Sequence, residues 1–224
     1  MEEKDNIKVL IADESHLSYV DEINDTIQRA SEERGTGIAR RTFEYIADKM
    51  TAGKAIIALD GDKFAGFCYV ESWGHHRFVA NSGLIVVKEY RGCGLAKRIK
   101  KKAFELSRTK FPDSKIFGLT TGLPVMKINT ELGYRPVTFS ELTDDEDFWK
   151  GCQSCVNYDI LMRTNRSKCL CTAMIYDPAW EKKEEKQPEK EQAKVIPFKK
   201  WLTKSETSGF DSPFKSKLKL FKKN

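Results

Sequence analysis

The residues with the clearest chemical meaning are Arg91-Gly92-Cys93-Gly94-Leu95-Ala96, set between the apolar run SGLIVV and a stretch of helical spacing. Glycines at such a junction let backbone N–H groups turn inward, and the unpaired amides and positive dipole end of a helix N-terminus attract a phosphate. Arg91, Lys97 and Arg98 add cations that can reach an anionic group. The run lacks the Gly-Lys-Ser/Thr ending of a P-loop and the GxGxxG spacing of a dinucleotide site, so neither ATP nor NAD is expected. A second group, Cys152-x2-Cys155 followed by Cys169-x-Cys171, has ligand types that suit zinc.

A glycine turn can hold a phosphate only if a strand feeds it and a helix leaves it. Ile7 to Ile11 reads as a short strand. Leu17, Val20, Ile23, Ile27 and Ala30 recur at helical spacing, with Gly35 and Gly37 as a stop, and Ala39 to about Met50 reads as a second helix burying Phe43, Ile46, Ala47 and Met50. KAIIALD, KFAGFCYVESW and FVANSGLIVV then form an expected antiparallel meander, with a turn at Gly61 and Asp62. Beyond the glycine loop, Leu95, Ile99, Ala103 and Leu106 mark a helical face that ends before Pro112. KIFGLTTG reads as a strand, PVMKINTELG as a helix ending at Gly133, and YRPVTF as a strand. VNYDILMR and KCLCTAMIYD read as two further strands joined at Thr164 to Ser167. On that hairpin Cys155 and Cys169 are offset by about seven residues, roughly 23 Å at strand rise, so the four cysteines converge only if a strand is broken. Buried reduced thiols are the other reading, and metal stays open.

In this setting the sequence resembles the GNAT superfamily of acyl-CoA N-acyltransferases, whose signature Gln/Arg-x-x-Gly-x-Gly/Ala lies at the same strand-to-helix junction. Arg91, Gly94 and Ala96 match it, and Leu132-Gly133-Tyr134 is similar to the family's Leu-Gly-Phe near the end of its last core helix. The resemblance covers roughly residues 5–165. It implies an α+β fold with a mixed, mostly antiparallel central sheet flanked by helices. Residues 141–180 would add a cysteine-bearing β extension overlapping its end, and residues 181–224 a lysine-rich disordered tail.

The resemblance also implies roles. The amides of Gly92, Cys93, Gly94, Leu95 and Ala96 would hold the pyrophosphate of acetyl-CoA or another acyl-CoA, and backbone groups of Ile85, Val86 and Val87 the pantetheine and acyl carbonyl. Acyl transfer to an amine needs a base, a polarised carbonyl and a proton donor for the leaving thiolate. The central strand has no acid, so Glu71 at the end of the preceding strand is the nearest base, with His75 and His76 as alternatives. Where the family often has a tyrosine acid this chain has Asn129, which can only hydrogen-bond the coenzyme; water, Tyr134 or another residue must then protonate the thiolate. Thr120 and Thr121 are expected polar contacts beside the acyl group. Arg40 and Arg41, at the start of the second helix, and Arg77 could clamp the carboxylates of an amino acid such as glutamate. GIARRTFEYI, FWKGCQSCVNYDIL and CLCTAM also resemble bacterial GNAT proteins linked to arginine biosynthesis, which acylate the amine of glutamate. The implied reaction is direct attack, with acetyl or succinyl as the group moved. A protein N-acetyltransferase and a coenzyme-binding module without turnover remain alternatives.

The 224 residues, 40% hydrophobic and 32% charged, can fill a core, and a mean hydropathy of −0.54 with no long apolar run argues against a spanning helix. MEEKDNIKVLIADE does not read as a secretory leader, so a cytoplasmic address is expected. The net charge of +6 comes from the last 44 residues, which hold 13 lysines against 7 acids; residues 1–180 hold 26 basic and 26 acidic side chains. Lysine without arginine gives diffuse attraction, so nucleic acid is not an expected partner. A small-molecule amine is, and a homodimer is left open.

Overall fold

The computed structural model describes residues 6–34 and 41–184. The chain divides into two units, Met1–Lys182 and Lys183–Asn224, and the described residues belong to the first apart from the end of its last helix. Gly35, Gly37, Arg40 and most of the lysine-rich segment lie outside the described residues.

Seven strands form one sheet in the order β1-β2-β3-β4-β5-β7-β6. They are β1 (Ile7–Ile11), β2 (Ala55–Asp60), β3 (Lys63–Trp73), β4 (Phe78–Val86), β5 (Lys115–Thr120), β6 (Arg135–Val137) and β7 (Thr172–Tyr176). β1 to β4 are antiparallel, β4 and β5 are parallel, and β7 runs antiparallel between β5 and β6. β2 and the first two-thirds of β3 are buried on both faces, which is why they read as near-continuous apolar runs.

Alternation along β3 divides the core. Cys68 and Val70 pack with Leu95, Ile99 and Ala103 of α3 (Leu95–Lys110). Phe67 and Tyr69 pack on the other face with Ile23 and Ile27 of α1 (Val20–Arg34) and Ile46 and Met50 of α2 (Phe43–Thr51). α2 begins later than expected because Thr42 caps it, its Oγ1 accepting from Tyr45 N–H at 3.2 Å, so Arg41 stands just ahead of the helix. α4 (Leu123–Glu131) ends ahead of Gly133, whose φ of +87° supplies the left-handed turn into β6.

Two features open the sheet. The β3–β4 register slips between Phe67 and Tyr69, and Gly83 at the slip has φ +65° with a Cβ position only 2.5 Å from the Tyr69 ring, so no other residue fits there. β4 and β5 then pair at only three positions, ending at Ala80↔Phe117. Beyond that point the two strands diverge as a wedge.

The expected hairpin at residues 156–176 is not formed. Its second half supplies β7, but VNYDILMR folds as α6 (Tyr158–Arg163), which follows α5 (Glu146–Lys150). The reason is topological: β5 and β6 occupy both edges of β7, leaving no edge for a hairpin partner. Tyr158 and Leu161, three apart, join an aromatic cluster of Phe139, Phe148 and Trp149, and Asn165 and Arg166 stop the helix with φ of 47° and 60°. The last helix, α7, is Pro178–Glu184. Among the described residues no helix is long and apolar enough to cross a membrane.

Candidate active site

Gly92 and Gly94 have φ of +83° and +80°, and nothing lies within 4 Å of where a Cβ would sit on either. The first helical bonds run from Lys97 and Arg98 N–H to Gly94 O, so the amides ahead of them face open space at the positive end of α3. A helix N-terminus of this kind suits an anion. Arg91 braces it by donating from Nε to Val86 O at 3.0 Å, with Nη1 3.6 Å from Glu33. Arg98 is turned away, donating to Ile7 O, and Lys97 pairs with Glu131 at 2.7 Å on the surface.

A cavity of about 190 Å³ occupies the wedge and passes through the sheet. Asn81 to Leu84 line one side and Gly118 to Thr121 the other. Lys100 and Asn129 line the α3 face, while Ile27, Arg41, Tyr69 and Trp73 line the opposite face. Thr120 and Thr121 are therefore brought to the wedge as expected, with Thr120 Oγ1 already accepting from Gly122 N–H at 3.0 Å. Asn129 is 1% exposed, not on the helix surface. Its Oδ1 has no hydrogen-bond partner among the described residues, and its Nδ2 would lie 2.7 Å from a Cβ on Gly118. A buried acceptor without a donor at this depth suits a ligand N–H. Ile85, Val86 and Val87 follow on β4; Val87 N–H is used by Ala65 O at 3.0 Å and Val86 O by Arg91.

The α1–α2 face carries a built polar wall. Arg41 Nε donates to the Tyr69 hydroxyl at 2.8 Å, and its guanidinium lies 5.3 Å from the Tyr45 ring centre. Tyr45 packs edge-on to Tyr69 at 5.5 Å and donates its hydroxyl to Glu71, which also pairs with Lys49. Burial works to raise the Glu71 pKa, but bonds from Lys49, Tyr45 and Ser72 N–H outweigh it and hold the carboxyl below its usual range. Glu71 is thus an ionised group one layer behind the cavity, and a base role would run through water. His75 and His76 lie on the turn after β3, both with positive φ; His76 stacks on Phe111, 5.1 Å away, and Arg77 sits over Phe78. The structure does not bring these three to the wedge.

Segment 139–171 closes the remaining side. Phe148 contacts both Trp73 and Phe117 edge-on, at 5.2 and 5.5 Å, and Gly151, Cys152, Cys155 and Cys171 line the cavity. With a helix in place of the expected strand, the predicted 23 Å offset of the cysteines does not arise. Burial pushes the Cys152 thiol up to about 11, reinforced by Cys155 and Cys169, and Cys171 up to about 12, reinforced by the other three. Among the described residues no group of three or more His, Cys, Asp or Glu is disposed to hold a metal ion.

Sequence reasoning missed Tyr69, Asn81, Lys100 and the cavity-lining role of the extension. A signal existed for Lys100: it interrupts the apolar face between Ile99 and Ala103. Tyr69 and Asn81 carry none, because only the bulge and the wedge give them their place.

The fold and site together are a mixed sheet whose parallel pair opens beside a glycine-bearing loop at a helix N-terminus. Residues 20–124 match the acetyltransferase (GNAT) family, and this part of the chain belongs to it; the family takes its acyl group from acyl-CoA. No curated protein matches the chain in sequence. Among solved structures, N-acetylglutamate synthase from Neisseria gonorrhoeae, complexed with coenzyme A and N-acetyl-glutamate, is similar at 15% identity and TM-score 0.54 over 76% of this chain. The chain spans only 35% of that enzyme's length. Rv2747 from Mycobacterium tuberculosis, in complex with CoA and NLQ, is similar at 14% identity and TM-score 0.55, covering 76% of this chain and 98% of its own. YncA, a putative acetyltransferase from Salmonella typhimurium with acetyl-CoA, gives 12% and 0.51 over 77% of this chain and 94% of its own. At these identities the likeness is one of fold.

Proposed function

We propose that the acceptor is the primary amine of a small amino acid bearing a second carboxylate, with glutamate the best fit, and that acetyl or succinyl is moved to it by direct attack. The observation that carries this reading is Arg41, held on the cavity wall opposite the glycine loop by Tyr69 and Tyr45. A guanidinium oriented by other side chains is suited to bidentate capture of a carboxylate. An enclosure of about 190 Å³ walled by residues 148–155 suits a small acceptor better than a peptide. The N-acetyl-glutamate in the similar Neisseria structure supports the same class.

In this reading Gly92 to Ala96 hold the pyrophosphate, Ile85 to Val87 the pantetheine, and the Asn129 oxygen accepts from a pantetheine amide. Thr120 and Thr121 border the acyl group. Free-thiol release from acetyl-CoA and succinyl-CoA, measured for the full chain against the twenty amino acids, tests it. Turnover is expected with glutamate and little with neutral residues. Turnover confined to peptides, or coenzyme binding with no turnover, would replace it.

A further inference from the structure

Lys100 is the only charged side chain fully buried among the described residues, at 2% exposure. Its Nζ donates to the main-chain oxygen of Asn81 at 3.4 Å and lies 5.3 Å from the centre of the Tyr134 ring. No carboxylate pairs with it among the described residues. Uncompensated burial of an ammonium costs several kcal/mol, so a structural role alone is a poor reason to keep it.

Its position is informative. Asn81 is the first β4 residue past the last parallel pair, Ala80↔Phe117, and so marks the vertex of the wedge. Lys100 lines the cavity there on the α3 face, the side of the glycine loop, while Arg41 and Tyr69 line the opposite face. The other candidates are committed or incapable. Tyr134 donates its hydroxyl to Asn81 Oδ1 at 3.1 Å, and burial holds its proton well above the usual phenol value. Asn129 carries a carboxamide, which donates hydrogen bonds but is not an acid.

We propose that Lys100 is the catalytic acid that protonates the departing coenzyme A thiolate. This rests on the thioester lying in the wedge, not on which amine is acylated. The acceptor nitrogen approaches from the Arg41 face, forms the C–N bond and releases one proton to water. The C–S bond breaks, its electron pair stays on sulfur, and sulfur takes a proton from Nζ. Lys100 regains a proton from solvent when the products leave.

Burial lowers the Lys100 pKa to about 8, with only Cys68 opposing, whereas a thiol ordinarily titrates near 8.5. Transfer between groups so matched is close to thermoneutral. The titratable groups facing Lys100 are Cys68 on β3 and Tyr134 after α4, and burial keeps both neutral, Cys68 up to about 11. Asn81 on β4, whose main-chain oxygen accepts from Lys100 and whose amide donates to Ser107, does not titrate.

The first readout needs no turnover: the thiol of coenzyme A bound to the full chain is titrated by its thiolate absorbance. In the wild-type complex the ammonium should lower that thiol's pKa by about one unit or more against free coenzyme A. Lys100→Met should abolish the shift. Lys100→Arg, which keeps the charge but cannot release a proton, should retain it. In turnover both variants should lose kcat by about 100-fold or more, with the coenzyme Kd changed by less than about threefold. A wild-type complex whose bound thiol titrates like free coenzyme A overturns the proposal without any variant. So does a Lys100→Met enzyme within about threefold of wild-type kcat. If no amino acid is acylated, the acceptor reading fails while the thiol titration still decides the role of Lys100.

Discussion

The two faces of the wedge are built in opposite ways. On the α3 side, beside the buried Lys100 and Asn129 side chains, the glycine loop offers backbone alone: two left-handed glycines with open space where a Cβ would sit. On the α1–α2 side the wall is all side chain, a relay from Arg41 through Tyr69 and Tyr45 to Glu71 and Lys49 drawn from one helix, one strand and the residue ahead of the helix. A coenzyme common to many acyl transfers can be held by groups every residue possesses. An acceptor that must be told from its neighbours needs groups that differ.

The largest expected effect tests the backbone side. Gly94→Glu puts a carboxylate into open space at φ +80° where a diphosphate should lie, and coenzyme affinity should fall by about 100-fold or more in calorimetry while the fold persists. Retained affinity would mean that the coenzyme does not use the loop. Arg41→Ala should leave coenzyme binding untouched and raise KM for a dicarboxylate acceptor roughly 10- to 100-fold, a charged hydrogen bond being worth about 1.5–3 kcal/mol. An equal rise for a neutral acceptor would break the contrast between the faces. Lys100→Met should raise Tm at pH 7. The folded-state lysine titrates near 8 and the unfolded one near 10.5, so the wild-type penalty is full below pH 8 and the gain from the substitution shrinks as pH climbs between those values. The smallest effect sits in the relay. Glu71→Gln should cost about 1 kcal/mol at neutral pH, since water still screens the pair with Lys49. Because the folded carboxyl is held below 4.5, wild-type stability should drop as pH falls through that lowered value, and the Gln variant should lack that drop.

What could be read in the chain follows the same division. The meander, the glycine loop, α3, α4 and β6 were legible because each is set by local periodicity and turn residues within a short window. Arg41, Thr120, Thr121 and Asn129 were legible as wedge residues only through the family's element order. VNYDILMR was misread because a short apolar run fits a strand and a helix equally, and the deciding fact, that β7 has both edges filled, lies outside the run. Tyr69 meets Arg41 across 28 positions and Asn81 meets Tyr134 across 53, distances over which pattern carries no information.

The place of β7 has a consequence for how the molecule is made. β5 pairs with β4 at three positions but with β7 at five, and β7 lies more than fifty residues further along the chain. During synthesis the first half of the sheet, with the glycine loop, can assemble from neighbours close in sequence. β5, one wall of the wedge, must wait with an open edge until residue 176 has emerged, at the entropic cost that slows non-local pairing. The glycine loop is thus finished early and the wedge last, so a ribosome stalled near residue 170 would carry a chain whose loop is formed while the cavity still lacks a wall.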